Sequence, residues 1–254
     1  MRDRKITTAM RRGWELPVTF EVNKTLCSSE LMYAFIEQCQ RRRYLAKAVI
    51  IAQGEVSRGV YFLITGAATF RMRTETGHDL VLDVAHGGRF FGESGLFEPG
   101  IVNNTTVRAK SACDVAFISH ARLRGNPNLL AGLMPQLAAQ LALRLDDLSR
   151  KTAAMAFYEI ERRVVNTLHE LATAPDARAH SEGRAISITR TELGYMTGAS
   201  REAVGRVLAR LHQRGVVRAK GQAIVILADR SQREIIAPSA PPLEYRAASA
   251  RARL

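Results

Sequence analysis

Near residue 120 the hydrophobic pattern of this 254-residue sequence changes period, and the change divides the chain. From Tyr44 to about His120, short apolar runs rich in β-branched residues alternate with glycine turns. Val60-Tyr61-Phe62-Leu63-Ile64 ends at Thr65-Gly66; Leu80, Leu82 and Val84 alternate with Val81 and Asp83; Cys113, Val115 and Phe117 alternate with Asp114, Ala116 and Ile118. Turn signals stand at Gln53-Gly54, Thr76-Gly77 and Gly87-Gly88. Short strands at such spacing predict an all-β barrel or jelly roll. Beyond it, Met134, Leu137, Leu141, Leu145, Leu148, Thr152 and Met155 recur at intervals of three and four, a heptad-like helical seam. Two readings of that helix stand: a helix packed on its own barrel, or one that pairs with a second copy. The narrowness of the stripe favours pairing. Pro135 suits the first turn of such a helix better than its interior.

The rest of the chain falls into place around these two blocks. Residues 1–28 are polar and irregular and read as an arm. Residues 29–42 predict a short helix through Leu31, Phe35 and Ile36, followed by Arg41-Arg42-Arg43. A second long helix is expected over 157–174, then a polar loop from Pro175 to Gly183, two short helical segments and a hairpin. Residues 231–254, rich in Ala, Pro and Arg, read as a disordered tail. The expected organisation is an arm (1–28), a β-roll (29–125), a long helix (126–155), a C-terminal α/β module (156–230) and the tail: an α+β chain.

The formal charge is +13, which calls for a polyanionic partner such as nucleic acid. It is spread unevenly: +5 over 1–48, only +2 over 49–158, +4 over 159–230 and +2 over 231–254. Nucleic-acid contact is therefore expected outside the middle block. No apolar run approaches the ~18 residues of a transmembrane helix, and the basic start is not followed by the apolar core of a secretory signal. Three cysteines (Cys27, Cys39, Cys113) without a CxxC spacing disfavour a disulfide framework or a four-thiolate cluster and fit a reducing cytoplasm.

The most informative stretch runs from Ile188 to Leu211. Thr189 with Glu192 three residues on forms a capping box, Gly198 supplies a tight turn, and Ser200 caps a second helix. Leu193, Val204, Val207 and Leu208 are spaced to bury one face, and Gly194 lets the two helices approach closely. This is a helix-turn-helix, and the hairpin from Gly215 to Leu227 makes it winged. Arg201 and Glu202 fall in the first turn of the second helix, with Arg206 one turn beyond Glu202. Arginine forks onto O6 and N7 of guanine, and glutamate accepts from N4 of cytosine, so the trio suits a half-site containing G·C pairs. The alternative is a solvated face on which Glu202 and Arg206 pair along the helix.

Ser200-Arg201-Glu202-Ala203-Val204-Gly205-Arg206 resembles the recognition helix of the CRP/FNR transcription regulators, in the catabolite-activator branch. Phe90-Phe91-Gly92-Glu93-Ser94-Gly95-Leu96-Phe97-Glu98 and Val107-Arg108-Ala109-Lys110 resemble that family's phosphate-binding cassette. The resemblance spans about Cys39 to Leu227. It implies a jelly-roll (double-stranded β-helix) effector domain, a dimerisation helix and a C-terminal winged helix-turn-helix, in a homodimeric activator. It further implies base reading of a TGTGA-like half-site by Arg201, Glu202 and Arg206, phosphate contacts from Thr189, Arg190 and Ser200, and effector binding by Gly92 and Glu93. Contact with RNA polymerase through Pro175 to Gly183 is implied as well.

For the effector, Asn103-Asn104 stands where the family has an Arg-Ser pair, and a neutral amide lacks the charge-assisted bond arginine gives a phosphate. Leu148-Ser149 stands where the family has Thr-Ser, and Arg144 is retained. Arg144, Asp146, Asp147, Arg150 and Lys151 read as one charged helix face resembling the cyclic di-GMP-responsive branch. Arginine and aspartate together suit guanine, so cyclic di-GMP is expected ahead of cAMP, with no permanently bound cofactor. The alternatives are a solvated charged face, with a regulator needing no effector, and a cupin-type enzyme fused to a winged helix. The enzyme would need clustered ligands, and His78, His86 and His120 show no paired spacing. No metal site is expected.

Overall fold

The computed structural model describes residues 29–227 apart from Thr76 and His78, so the expected arm and tail lie outside the described residues. Two compact units divide between Phe157 and Tyr158.

The first unit opens with α1 (Ser29–Gln38), whose Met32, Phe35 and Ile36 are fully buried at helical spacing. Two four-stranded antiparallel sheets follow. One runs β1 (Gln40–Tyr44), β8 (Cys113–Ser119), β3 (Gly59–Thr65), β6 (Arg89–Phe91); the other runs β2 (Val49–Ile51), β7 (Thr106–Ala109), β4 (Ala67–Arg73), β5 (Asp79–His86). The inner faces bury Tyr61, Leu63, Phe70, Phe91, Val107, Val115 and Cys113 between them. The outer face of β3 and β8 is covered too: Val60, Phe62, Ile64, Ala116 and Ile118 pack with α1, α3 (His120–Arg124) and α4 (Pro127–Phe157). This is why Val60–Ile64 reads as an unbroken apolar run rather than an alternating one. The expected jelly roll is present, with α2 (Ser94–Phe97) between β6 and β7.

Three expectations are corrected. The helix over 29–42 stops at Gln38, and Arg41–Arg43 lie in β1, paired from Gln40↔Phe117 to Tyr44↔Cys113. Arg41 pairs with Asp114 and the Arg42 guanidinium lies 3.5 Å from the Phe117 ring centre, so arginine stems cover an edge strand. Pro135 lies inside α4, whose first turn begins at Pro127; having no N–H, it cannot give the Ala131 carbonyl the usual bond from four residues on. The loop from Pro175 to Gly183 contains a strand, β9 (Arg178–His180), paired to β10 (Gly183–Ser187). All three residues of β9 are exposed, so no alternation betrays it.

The second unit is a winged helix-turn-helix. α5 (Ile160–Thr173) packs against α6 (Arg190–Thr197) and α7 (Arg201–Gln213) around Val164, Leu168, Leu193, Val204, Val207, Leu208 and Leu211. The hairpin β11 (Val217–Lys220) and β12 (Ala223–Leu227) closes a sheet in the order β11-β12-β10-β9. Glu161 on α5 receives both Arg210 and Arg214 from α7. Among the described residues no helix is long and apolar enough to cross a membrane.

Gly194 is required by packing: a Cβ there would lie 2.5 Å from the Ala199 carbonyl oxygen. Gly194→Ala is expected to lower the unfolding free energy of this unit by about 1–3 kcal/mol, because backbone must move to admit the methyl. Urea denaturation checks this; an unchanged midpoint would show that the turn gives way freely.

Candidate functional site

Two sets of side chains carry chemistry, one in each unit. In the second unit, Thr189 accepts from the Glu192 amide at 3.1 Å while the Glu192 carboxylate accepts from the Thr189 amide at 3.0 Å. The Thr189 hydroxyl also donates to that carboxylate at 2.9 Å, so the box absorbs the side chain expected on a phosphate. Gly198 ends α6 in the left-handed region (φ +61°), and the Ser200 hydroxyl accepts from the Ala203 amide at 3.2 Å to start α7. These local bonds orient α7 so that Val204, Val207, Leu208 and Leu211 face inward. Arg201, Glu202 and Arg206 are then exposed together, with Arg190 and Ser200 exposed beside them. In this unit Arg210 and Arg214 pair with Glu161, and Arg218 pairs with Glu182. The Glu202–Arg206 pair of the alternative reading is not formed. Two long cations and one carboxylate project side by side from the first two turns of a capped helix, the chemistry of base-edge readout.

In the first unit, Gly92 and Glu93 lie between β6 and α2. Gly92 has φ +78°, and a Cβ there would meet the Gly59 carbonyl oxygen at 2.6 Å, so only glycine fits. Glu93 is 6% exposed. Its Oε1 accepts from the Arg144 guanidinium of α4 at 2.6 Å, and its Oε2 is buried without a partner. The Arg144 guanidinium stands 5.3 Å from the Phe70 ring centre. Further along the same stripe of α4, Gln140 bridges the Gly88 carbonyl (3.1 Å) and the Phe90 amide (3.0 Å), and Lys151 donates to the Leu82 carbonyl (2.9 Å). A buried acceptor beside a charge-paired partner asks for a donor such as a hydroxyl or N–H.

Among the remaining expected effector residues, Asn103, Asp147, Ser149 and Arg150 bond to other partners. The Asn103 amide donates to the Glu55 carbonyl at 2.9 Å and braces a loop; Asn104 is exposed. The single charged face of α4 is also corrected. Arg144, Asp147 and Lys151 share a stripe, but Arg150, six residues from Arg144, falls on another face and pairs with Asp146 and Asp147. The Ser149 hydroxyl bonds back to the Leu145 carbonyl at 2.8 Å. The helical seam divides as well. Leu137 is 2% exposed and packs on the roll, whereas Leu145 is 68% exposed, with Leu141 and Leu148 exposed beside it.

His120, which shows no paired spacing in the sequence, has a structural role whose partner the sequence did not name. His120 is buried, and its Nε2 lies 2.9 Å from the Gly92 carbonyl, which also accepts from Ser57 at 3.4 Å. Because a carbonyl only accepts, Nε2 carries the hydrogen. A Cβ on Gly95 would meet the His120 ring at 2.4 Å, and Arg124 donates to the Gly95 carbonyl at 3.0 Å, so α3 clamps the segment that holds Glu93. Nothing in residue spacing marks this contact; only the pairing of β8 with β3 brings it about. Cys113 is buried against the Ala67 carbonyl, and burial pushes its thiol pKa up. Among the described residues no group of three His, Cys, Asp or Glu could hold a metal ion.

Comparison with known proteins matches residues 41–125 to the family described as a cyclic nucleotide-binding domain and residues 162–232 to the Crp-like helix-turn-helix domain. The chain is 37% identical over 196 residues to the cAMP-activated global transcriptional regulator CRP of Pasteurella multocida, covering 77% of this chain and 94% of that protein. It is 38% identical over 198 residues to the cAMP-activated global transcriptional regulator Vfr of Pseudomonas aeruginosa, covering 77% and 92%. Among solved structures it resembles CLP of Xanthomonas campestris, described as a c-di-GMP-responsive global regulator. That match has a TM-score of 0.75 and 30% identity, over 79% of this chain and 100% of that one. A CRP/FNR-family regulator of Thermus thermophilus matches with a TM-score of 0.67 and 25% identity, over 77% and 97%.

Burial holds the His120 imidazole below its ordinary pKa, against the opposing pull of the Gly92 carbonyl; Arg124 adds to the lowering. The unfolded chain therefore takes up this proton more readily than the folded one. Its stabilising contribution is complete above about pH 6.5 and is lost as the pH falls below that value. Denaturant midpoints at pH 7.5 and 5.5 are expected to differ more for the wild type than for His120→Gln; equal differences would refute the assignment.

Proposed function

Because this chain belongs to the CRP/FNR family of transcription regulators, we propose that it is a cytoplasmic, homodimeric activator that reads TGTGA-like palindromes and is gated by a cyclic dinucleotide. The family is one of cyclic nucleotide-binding, DNA-binding regulators and not of enzymes. The observation that carries the DNA half is the joint exposure of Arg201, Glu202 and Arg206 on a capped helix whose other face is core. Arg201 and Arg206 would fork onto guanines and Glu202 would accept from a cytosine amine, while Arg190 and the N-terminus of α7 at Ser200 would lie along phosphates. The exposed leucines at 141, 145 and 148 favour pairing of α4 with a second copy; a two-fold dimer reads half-sites about 34 Å apart, one helical turn of DNA. RNA polymerase is expected to meet the segment from Pro175 to Gly183. On a TGTGA palindrome, Arg201→Ala is expected to cost about 1–3 kcal/mol of discrimination at its guanine. Electrophoretic shift measures it; an unchanged sequence preference would remove the assignment.

The effector half rests on Glu93 Oε2, a buried acceptor awaiting a donor beside Arg144. A sugar hydroxyl would satisfy it. The absence of an arginine at 103 or 104 weighs against a tight cyclic monophosphate, since Asn103 is neutral and already engaged. Asp147 and Lys151 on the stripe of Arg144 carry the acceptor a guanine edge needs and the cation a phosphate needs; a ligand would have to exchange for their present partners, Arg150 and the Leu82 carbonyl, and Ser149 and the exposed Arg150 stand at the neighbouring surface. The likeness to the c-di-GMP-responsive CLP supports the same ligand, while the cAMP-activated relatives supply the second reading. Calorimetric titration with cyclic di-GMP is expected to give heat at low micromolar concentration, lost in Arg144→Ala. Heat from cAMP alone would establish the second reading, and no heat from either would point to a regulator that needs no effector.

A further inference from the structure

Gly205 occupies the middle of α7, four residues from Arg201, three from Glu202 and next to Arg206, so its bare Cα lies between them, half-buried. Glycine weakens a helix interior relative to alanine. Here neither packing nor backbone geometry asks for it. A Cβ at 205 would meet only the Cδ of Arg190, at 3.9 Å, an ordinary contact, and no left-handed φ is involved. Gly194 in the neighbouring helix, where a Cβ would strike backbone at 2.5 Å, shows what a packing glycine looks like in the same unit.

A helix that gives up propensity at an accessible position, with room to spare inside its own chain, leaves the need for that room outside the chain. We propose that Gly205 is a positioning residue for DNA: the missing side chain lets the duplex seat against the α7 backbone, close enough for Arg201, Glu202 and Arg206 to reach base edges. This rests on the reading of that trio as base-contacting. An added methyl stands about 1.5 Å off the Cα. Direct hydrogen bonds tolerate a window of only about 0.5 Å, so a duplex held off by that much loses them together, while phosphate contacts through long cations adjust.

The test uses the full-length chain, alone and with saturating cyclic di-GMP or cAMP, and titrates a TGTGA palindrome and a scrambled duplex by fluorescence anisotropy. Gly205→Ala is expected to raise the melting temperature by a few degrees, to weaken the palindrome at least tenfold and to leave the scrambled duplex within twofold. Gly205→Met, still compatible with a helix, is expected to abolish the preference altogether. If the wild type prefers the palindrome, Arg201→Ala loses that preference, and Gly205→Ala binds within twofold of the wild type, the inference is overturned while the base-reading assignment survives. A wild type without site preference overturns both. The same comparison in an Arg190→Ala background separates direct clearance from an effect carried by the Arg190 stem: a tenfold loss that persists supports clearance, and one that disappears overturns it.

Discussion

A strand with apolar side chains on both faces needs a cover on each side, and β3 receives one from the facing sheet and the other from helices. Everything in the first unit depends on that demand. The facing sheet takes Tyr61 and Leu63; α1 and the first half of α4 take Val60, Phe62 and Ile64 through Leu129, Leu133 and Leu137. Laying α4 across the roll brings its next turns to the rim, where Gln140, Arg144 and Lys151 bond Gly88, Glu93 and Leu82 in turn. Glu93 and Arg144 meet because the core put the helix there.

The same demand explains why α4 changes character along its length. Its first turns are spent on the roll, and Gly132 leaves space that Leu31 fills: a Cβ there would lie 2.8 Å from the leucine side chain. Past the rim the helix has no core of its own to face, and Leu141, Leu145 and Leu148 stay exposed within the chain. Exposed leucines at heptad spacing have a reason only if another surface covers them, which is the physical basis of the proposed dimer.

In the second unit the relevant forces are local. A capping box, a left-handed glycine and a serine cap set two helices end to end, and an apolar stripe turns the rest of α7 inward. An exposed face built this way costs little stability, because its long polar side chains never had to be desolvated. Gly194 and Gly205 mark the two kinds of close approach such a unit needs, one within the chain and one, as proposed, to DNA. Their spacing looks alike in sequence; only the distance from an added Cβ to its neighbours separates them.

Caps, turn glycines and apolar spacing act over a few residues, so the helix-turn-helix, the roll and the exposure of Arg201, Glu202 and Arg206 were determined by the sequence itself. Strand β1 and β9 were not legible, since an arginine-rich edge and a fully exposed edge carry no alternation. The tertiary structure alone decided that Arg144 pairs with a glutamate 51 residues earlier, that Arg150 turns away, that Asn103 is consumed by a loop and that His120 clamps the Gly92 carbonyl. Those contacts join side chains distant along the chain, and their geometry follows from how strands register and where the helix lies, which no local pattern encodes.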